Sequence, residues 1–139
     1  MTQLPFATAG RWQRLPGQII NNSQLEGVSS AGLANALTVD VEDYFHVAAL
    51  APSIPRDDWN SRESRVAANT RKLLAIFEQF GVRGTFFVLG WVAERYPHLV
   101  REIAAGGHEI ACHGYSHRLV YEQPPEEFRA EALRSKKLL

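Results

Sequence analysis

Residues 36–43 read Ala-Leu-Thr-Val-Asp-Val-Glu-Asp, an apolar run that leads directly into a cluster of carboxylates. The apolar and β-branched side chains favour a strand that is covered on both faces. Asp40 and Glu42 would share one face of this strand, whereas Asp43 can join them only if the chain turns. Because parallel α/β sheets carry ligands at the C-terminal ends of their strands, this stretch predicts a functional site. The simpler alternative is a strand that ends in a solvated acidic loop.

Helical and strand-like patterns alternate through the rest of the chain. The predicted elements are a helix from Arg65 to Phe80, a strand over 84–90, a helical stretch over 91–105 that Pro97 splits, a strand over 108–112 and an amphipathic helix that begins at Pro124-Pro125. Strand and helix therefore alternate about three times. This order predicts an α/β fold of about three βα units with parallel strands.

The composition is that of a soluble globular protein of one domain. Residues 1–35 are rich in Gln, Asn, Ser and Gly without a sustained period, which predicts a flexible leader before a folded part over 36–139. The 15 basic residues balance the 15 acidic ones, so nothing favours nucleic acid as a partner. The single cysteine, Cys112, excludes an intrachain disulfide.

Neither a transmembrane segment nor a secretory signal is visible in the sequence. A bilayer span needs about 20 predominantly apolar residues, and no stretch approaches that length. The N-terminus has no basic region followed by an apolar run. We therefore expect a cytoplasmic location by default, which leaves periplasmic or membrane-associated action open.

Two histidines, His113 and His117, follow the third predicted strand. A pair of imidazoles with a carboxylate is a common ligand set for a first-row divalent metal. A His-x-x-x-His pair alone is weak evidence, because most such pairs are surface or core histidines. The parallel topology strengthens the prediction, since it brings the ends of all three strands to one rim of the sheet.

Three ordered segments, 38–43, 84–88 and 107–117, together resemble the polysaccharide deacetylase family, the carbohydrate esterases with a NodB homology domain (carbohydrate esterase family 4-like). The sequence around Asp40 and around His113 is similar to that of the branch associated with exopolysaccharide biosynthesis and exosortase systems. The resemblance covers residues 35–139 and corresponds to the N-terminal half of the family's distorted (β/α) barrel. It implies metal-dependent hydrolysis of N-acetyl groups from amino sugars in a polysaccharide, an exopolysaccharide being the favoured substrate.

The resemblance also implies a role for individual residues. Asp40 matches the family's catalytic base, and His113 and His117 match the two histidine ligands of a divalent metal, with Zn²⁺ favoured. The carboxylate ligand is ambiguous, because the family's usual position falls on Val41. Asp43 is favoured narrowly over Glu42, which a related branch of the family would select.

The family's late motifs, which carry an arginine and a histidine acid, have no match in this chain. No histidine follows His117. We therefore expect a truncated deacetylase, whose activity would depend on a missing C-terminal half. The alternatives are a remnant that only binds metal or glycan and another metal hydrolase, such as a phosphoesterase or amidohydrolase.

Four other side chains receive structural predictions. Cys112 is expected to be a small core residue, and His46 to be an exposed loop histidine. Trp59 and Trp91 are expected to pack in the core, the alternative being a platform on which sugars stack.

Overall fold

A computed structural model describes residues 36–139, so the predicted leader over 1–35 lies outside the described residues. The described part forms three strands and four helices: β1 (Thr38–Val41), α1 (Val66–Gln79), β2 (Thr85–Val88), α2 (Gly90–Arg95), α3 (Pro97–Ala105), β3 (Glu109–Cys112) and α4 (Pro125–Leu138). Three short 3-10 segments lie between β1 and α1. The alternation of strand and helix confirms the α/β prediction.

Helix boundaries follow local chemistry. Helix α1 ends just before Gly81, whose φ of +63° is a left-handed conformation that glycine adopts without steric cost. Pro97 separates α2 from α3 and occupies the first turn of α3, where a missing N–H costs no helical hydrogen bond. Pro125 starts α4 in the same way.

The three strands form one parallel sheet in the order β1-β2-β3. In the register, Val41 of β1 pairs with Val88 of β2, which pairs in turn with Cys112 of β3. The last residues of all three strands are therefore aligned at one edge of the sheet. The segments that follow them, which begin at Glu42, Leu89 and His113, start on the same rim.

The core is built from the central strand and the residues that pack on it. Phe86 and Val88 of β2 are fully buried, together with Val92 of α2 and Ile103 of α3. Trp59 and Trp91 also belong to this buried cluster, as the core prediction requires. Within residues 36–139, no helix is both long and apolar enough to cross a membrane.

Two minor predictions are wrong. Cys112 is exposed rather than packed in the core, because it lines an open cleft with His113 and Phe128. His46 is buried, with 2% of its surface exposed, because the chain after β1 folds back under Trp59 and Trp91.

Candidate metal centre

Glu42, His113 and His117 meet on the rim formed by the strand ends. One ligand atom from each lies within 4.8 Å of the others. The His117 Nε2 atom is 3.1 Å from Glu42 Oε2, and the His113 Nε2 atom is 3.7 Å from the same oxygen. The topology therefore brings together side chains that are more than 70 positions apart in sequence.

The donor atoms fit a divalent cation. In tetrahedral coordination with bonds of about 2.0–2.1 Å, two ligand atoms lie about 3.3–3.4 Å apart, which falls between the two distances from Glu42 Oε2. Glu42 Oε2 and His113 Nε2 are both buried and have no hydrogen-bond partner. Buried polar atoms are normally satisfied, so these two atoms are arranged for a partner that the polypeptide itself does not provide.

The segment that contains the two histidines is held by its backbone. His113 N donates a hydrogen bond to Val88 O at the end of β2. Gly114 O and Tyr115 O accept hydrogen bonds from Gly90 N and Trp91 N, the first residues of α2, at 2.8 and 3.1 Å. These bonds fix the position of the loop against α2.

Close approach of the loop to α2 requires a glycine at position 90. A Cβ atom there would lie 2.7 Å from Tyr115 Cδ2 and 2.5 Å from Ser135 Oγ. Both distances are shorter than an ordinary van der Waals contact, so a larger residue would push the histidine loop away from α2.

His117 has a φ of +53°, and it is the one described residue other than glycine with a positive φ. Such conformations are uncommon for residues with a Cβ atom, and they concentrate at functional sites. The turn that produces this conformation brings the His117 ring beside Glu42 and places its centroid 5.0 Å from that of His113.

Asp43, the narrowly favoured carboxylate ligand, does not join this cluster. Its Oδ2 atom accepts hydrogen bonds from Ser64 Oγ at 2.7 Å and from the backbone N–H groups of Arg65 and Val66 at 2.9 and 3.1 Å. The first N–H groups of a helix lack partners within the helix, and a carboxylate near them is also favoured by the helix dipole. Asp43 therefore stabilises the start of α1, and Glu42 replaces it in the proposed ligand set.

His46 lies directly behind the acidic cluster. Its Nδ1 atom accepts a hydrogen bond from Asp43 N at 2.8 Å. Burial lowers the pKa of His46 from 6.5 to about 4; the Asp43 charge raises it, while the charges of His117 and Arg95 lower it further. The ring is therefore neutral at neutral pH, which leaves Nδ1 free to accept this hydrogen bond.

Asp40 lies in β1, two residues before Glu42, and its side chain is exposed. It does not belong to the group formed by Glu42 and the two histidines. Its position is open to solvent, on the strand that leads to Glu42.

Two clefts adjoin the cluster, and His117 lines both. One has a volume of about 340 Å³ and includes Cys112, His113 and Phe128 in its wall. The other has a volume of about 420 Å³ and lies between the segment after β1, which contributes His46 and Trp59, and the segment after His117. A ligand in either cleft would be adjacent to the candidate metal centre.

A family model described as "Polysaccharide deacetylase" matches residues 57–139, more than half of the chain. The chain belongs to the polysaccharide deacetylase family. This result confirms the family that the sequence resembles; the match includes segments 84–88 and 107–117 and begins after segment 38–43. The cluster of Glu42 and the two histidines is consistent with this family, because these deacetylases are generally metal-dependent.

Curated relatives in the polysaccharide deacetylase family include a peptidoglycan-N-acetylglucosamine deacetylase of Bacillus cereus, 37% identical over 70 residues. That match covers 50% of this chain and 26% of the relative. A chitooligosaccharide deacetylase of Bradyrhizobium sp. is 36% identical over 64 residues, covering 46% of this chain and 29% of the relative. The chain thus matches less than a third of the length of these deacetylases.

Solved deacetylase structures agree with the fold. The Bc1960 peptidoglycan N-acetylglucosamine deacetylase superposes with a TM-score of 0.54 at 30% identity, covering 75% of this chain and 38% of that one. PdaC of Bacillus subtilis, at 22% identity, shares the fold with a TM-score of 0.55 over 74% of this chain and 40% of its own. The structural neighbours have (β/α)-barrel folds, to which the three parallel strands of this chain correspond.

Sequence reasoning missed the role of His46 and of Ser64. His46 follows Asp43 by three positions. At this spacing, side chains and backbone groups commonly bond reciprocally at the start of a helical turn, so the spacing could have indicated the contact. Ser64 binds Asp43 from 21 positions away, and no local pattern announces such a contact.

Proposed function

We propose that this chain forms the metal-binding part of a deacetylase that hydrolyses N-acetyl groups of amino sugars in a polysaccharide, with an exopolysaccharide as the favoured substrate. The convergence of Glu42, His113 and His117 on one rim of the sheet supports the proposal most directly. Family membership supplies the reaction class, and the relatives named above act on N-acetylated glycans by their names.

The three side chains of the cluster would hold one divalent cation, with Zn²⁺ favoured because two imidazoles and a carboxylate suit its coordination. Such an ion would lower the pKa of a bound water from about 15.7 towards about 7 and polarise the acetamide carbonyl. The Glu42 carboxylate would offset part of the cation's charge. Within residues 36–139 three possible ligand side chains come together, and a set of three would leave room for water and substrate.

Asp40 is the proposed general base. Its side chain is exposed on the strand that leads to Glu42, where it is accessible to a water that approaches the substrate carbonyl. As a carboxylate, Asp40 would take the proton of the attacking water once the substrate brings the two within hydrogen-bond distance. Replacement of Asp40 by Asn should abolish proton transfer without changing the metal ligands.

Metal binding by the full chain tests the proposal. Calorimetric titration with Zn²⁺ should show one site in the wild type and no binding in the double variant His113→Ala/His117→Ala. His98→Ala is the matched control, because His98 is an exposed histidine on α3 that bonds only to Arg101 among the described residues. Equal binding by the wild type and the double variant would contradict the proposed site.

A second candidate function is a metal- or glycan-binding chain that hydrolyses substrate only with a separate C-terminal half. This candidate is supported by the extent of the matches, which cover 26% and 29% of the lengths of the two deacetylases named above. Acetate release from chitooligosaccharide, measured with and without a supplied C-terminal half of a related deacetylase, separates the two candidates. Release by the chain alone supports the first, and release only with the added half supports the second.

Another class of metal hydrolase is a weaker alternative. Phosphoesterases and amidohydrolases commonly hold two ions about 3.5–4 Å apart, and they need more ligands than one cluster of three. The described residues form a single such cluster. A Zn²⁺ stoichiometry of two per chain would favour this alternative over the deacetylase.

A further inference from the structure

Two hydrogen bonds join Asp43 and His46, one from the Asp43 backbone to the His46 ring and one between the two backbones. Asp43 N donates to His46 Nδ1 at 2.8 Å, and His46 N donates to Asp43 O at 3.0 Å. Both residues are buried, with 4% and 2% of their surfaces exposed. The pair therefore closes a tight turn immediately after Glu42.

The side chain of Asp43, the first residue of this turn, is anchored at the start of the helix α1. The Asp43 carboxylate accepts hydrogen bonds from Ser64 Oγ and from Arg65 N and Val66 N. Asp43 is thus held at its backbone by His46 and at its side chain by α1. A residue fixed at both ends leaves its neighbour, Glu42, little freedom in backbone direction.

The His46 ring is itself immobilised by aromatic side chains. Its centroid lies 4.4 Å from that of Phe45, 4.4 Å from that of Trp59 and 4.8 Å from that of Trp91. The Trp59 ring is nearly perpendicular to the His46 ring, at 82°, an edge-to-face arrangement that is favourable for aromatic pairs. The ring therefore presents Nδ1 to Asp43 from a fixed position.

We propose that His46 is a positioning residue for the metal centre: through its bond to Asp43 N, it fixes the turn that directs the Glu42 carboxylate at His113 and His117. This inference rests on the proposed function, because it assigns His46 a role at that same site. His46 does not belong to the group of possible ligands formed by Glu42, His113 and His117. Partners that orient a ligand from behind commonly account for 10- to 100-fold in metal affinity.

Two substitutions divide the contributions of the ring. His46→Phe keeps an aromatic ring among Phe45, Trp59 and Trp91 but removes the acceptor for Asp43 N. His46→Asn keeps a side-chain acceptor near the place of Nδ1 but removes the ring. The two variants therefore separate the hydrogen bond from the packing.

The experiment measures Zn²⁺ affinity and thermal unfolding of the metal-free full chain for both variants. We expect His46→Phe to bind Zn²⁺ 10- to 100-fold more weakly than the wild type. Of the two variants, it should show the smaller fall in unfolding temperature. We expect His46→Asn to keep affinity within a few-fold of the wild type with the larger fall in unfolding temperature. A purely structural role would instead make affinity follow stability in both variants, and that result would overturn the inference.

The outcomes for the two proposals are distinguishable. A wild type that binds no Zn²⁺ overturns the proposed function and this inference together, whereas a wild type and His46→Phe that bind equally overturn only the inference. If His46→Phe does not fold, the wild type provides the test by NMR. The Asp43 amide of the metal-free protein should then exchange slowly with solvent, because it donates to the buried His46 Nδ1 atom, and a rapidly exchanging amide would overturn the inference.

Discussion

The loop after β1 and the loop after β3 meet at the same cluster, but different bonds hold them in place. In the first loop, the side chains of Asp43 and His46 make the decisive hydrogen bonds. In the second loop, backbone groups bond to the ends of β2 and α2, and the histidine side chains remain free to serve as ligands.

This difference divides the residues of the site by the effect of mutation. In the loop after β1, the side chains of Asp43 and His46, which are not metal ligands themselves, are expected to control both folding and metal affinity. In the loop after β3, the histidines and the glycines that shape the backbone are expected to matter most for metal affinity, while Tyr115 and Ser116 bond the loop to Glu94 of α2 and Glu131 of α4. Three predictions test this division, in order of decreasing effect on stability.

The largest effect is expected at the neighbouring residues Asp43 and Glu42. Asp43→Ala removes the acceptor for Ser64 Oγ and for two helix N–H groups, so it should lower the free energy of unfolding by about 3–5 kcal/mol. Glu42→Gln should change that free energy by less than about 1 kcal/mol, because Glu42 Oε2 has no hydrogen-bond partner to lose. Denaturant unfolding of the metal-free chain measures both changes.

The Zn²⁺ affinity of Glu42→Gln completes this comparison. The amide is a poorer ligand than the carboxylate, so binding should weaken strongly although the fold is intact. A stable Asp43→Ala variant, or a Glu42→Gln variant with wild-type affinity, would reverse the roles assigned to the two residues.

The second effect is a pH dependence that resides in the loop after β1. His46 takes up a proton near pH 6.5 when the chain is unfolded but only near pH 4 when it is folded, because burial disfavours its charged form. Its contribution is therefore present above pH 6.5 and is lost as the pH falls towards 4, by on the order of 3 kcal/mol. The facing charges are those of Asp43, His117 and Arg95.

Unfolding free energies of the wild type and His46→Phe, measured between pH 7 and pH 4 without metal, isolate this contribution. The wild type should lose more stability across the range than His46→Phe, which has no group to titrate at this position. Parallel curves for the two proteins would show that His46 does not account for the acid sensitivity.

The smallest effect is expected at two glycines that shape the loop after β3: Gly114, which lies in the loop, and Gly90 of α2, against which the loop packs. Gly90→Ala places a Cβ atom 2.7 Å from Tyr115 and 2.5 Å from Ser135 Oγ, so it should cost about 1–3 kcal/mol and weaken Zn²⁺ binding. Gly114→Ala is the matched control, because its Cβ atom would meet nothing within 4 Å and only its φ of +76° is unfavourable, at about 1 kcal/mol. Equal loss in the two variants would argue against close packing at Gly90.

The regular elements of this fold are largely legible in the sequence. Helix α1 follows apolar residues at helical spacing and ends before Gly81, and Pro97 separates α2 from α3. These features depend on residues a few positions apart, so a local pattern contains the necessary information. The exposure of Cys112 was not predictable in this way, because it depends on the cleft that the end of β3 forms with the distant helix α4.

The ligand set shows where local reasoning fails. The histidine pair could be placed at a strand end from sequence and topology alone, but the choice between Glu42 and Asp43 could not. Adjacent residues on a chain that turns point in different directions, and the direction of this turn depends on Ser64 and the start of α1, about 21 positions further along. The structure therefore favours the carboxylate that the sequence argument ranked second.

The amino-acid sequence by itself determined the βα order, the parallel sheet and the family, because apolar periodicity and short motifs are properties of neighbouring residues. Only the tertiary structure decided that Glu42 faces the histidines, that Asp43 stabilises α1 and that His46 is buried behind them. These outcomes depend on hydrogen bonds and packing between segments that are distant in sequence, and such contacts are formed only when the chain folds.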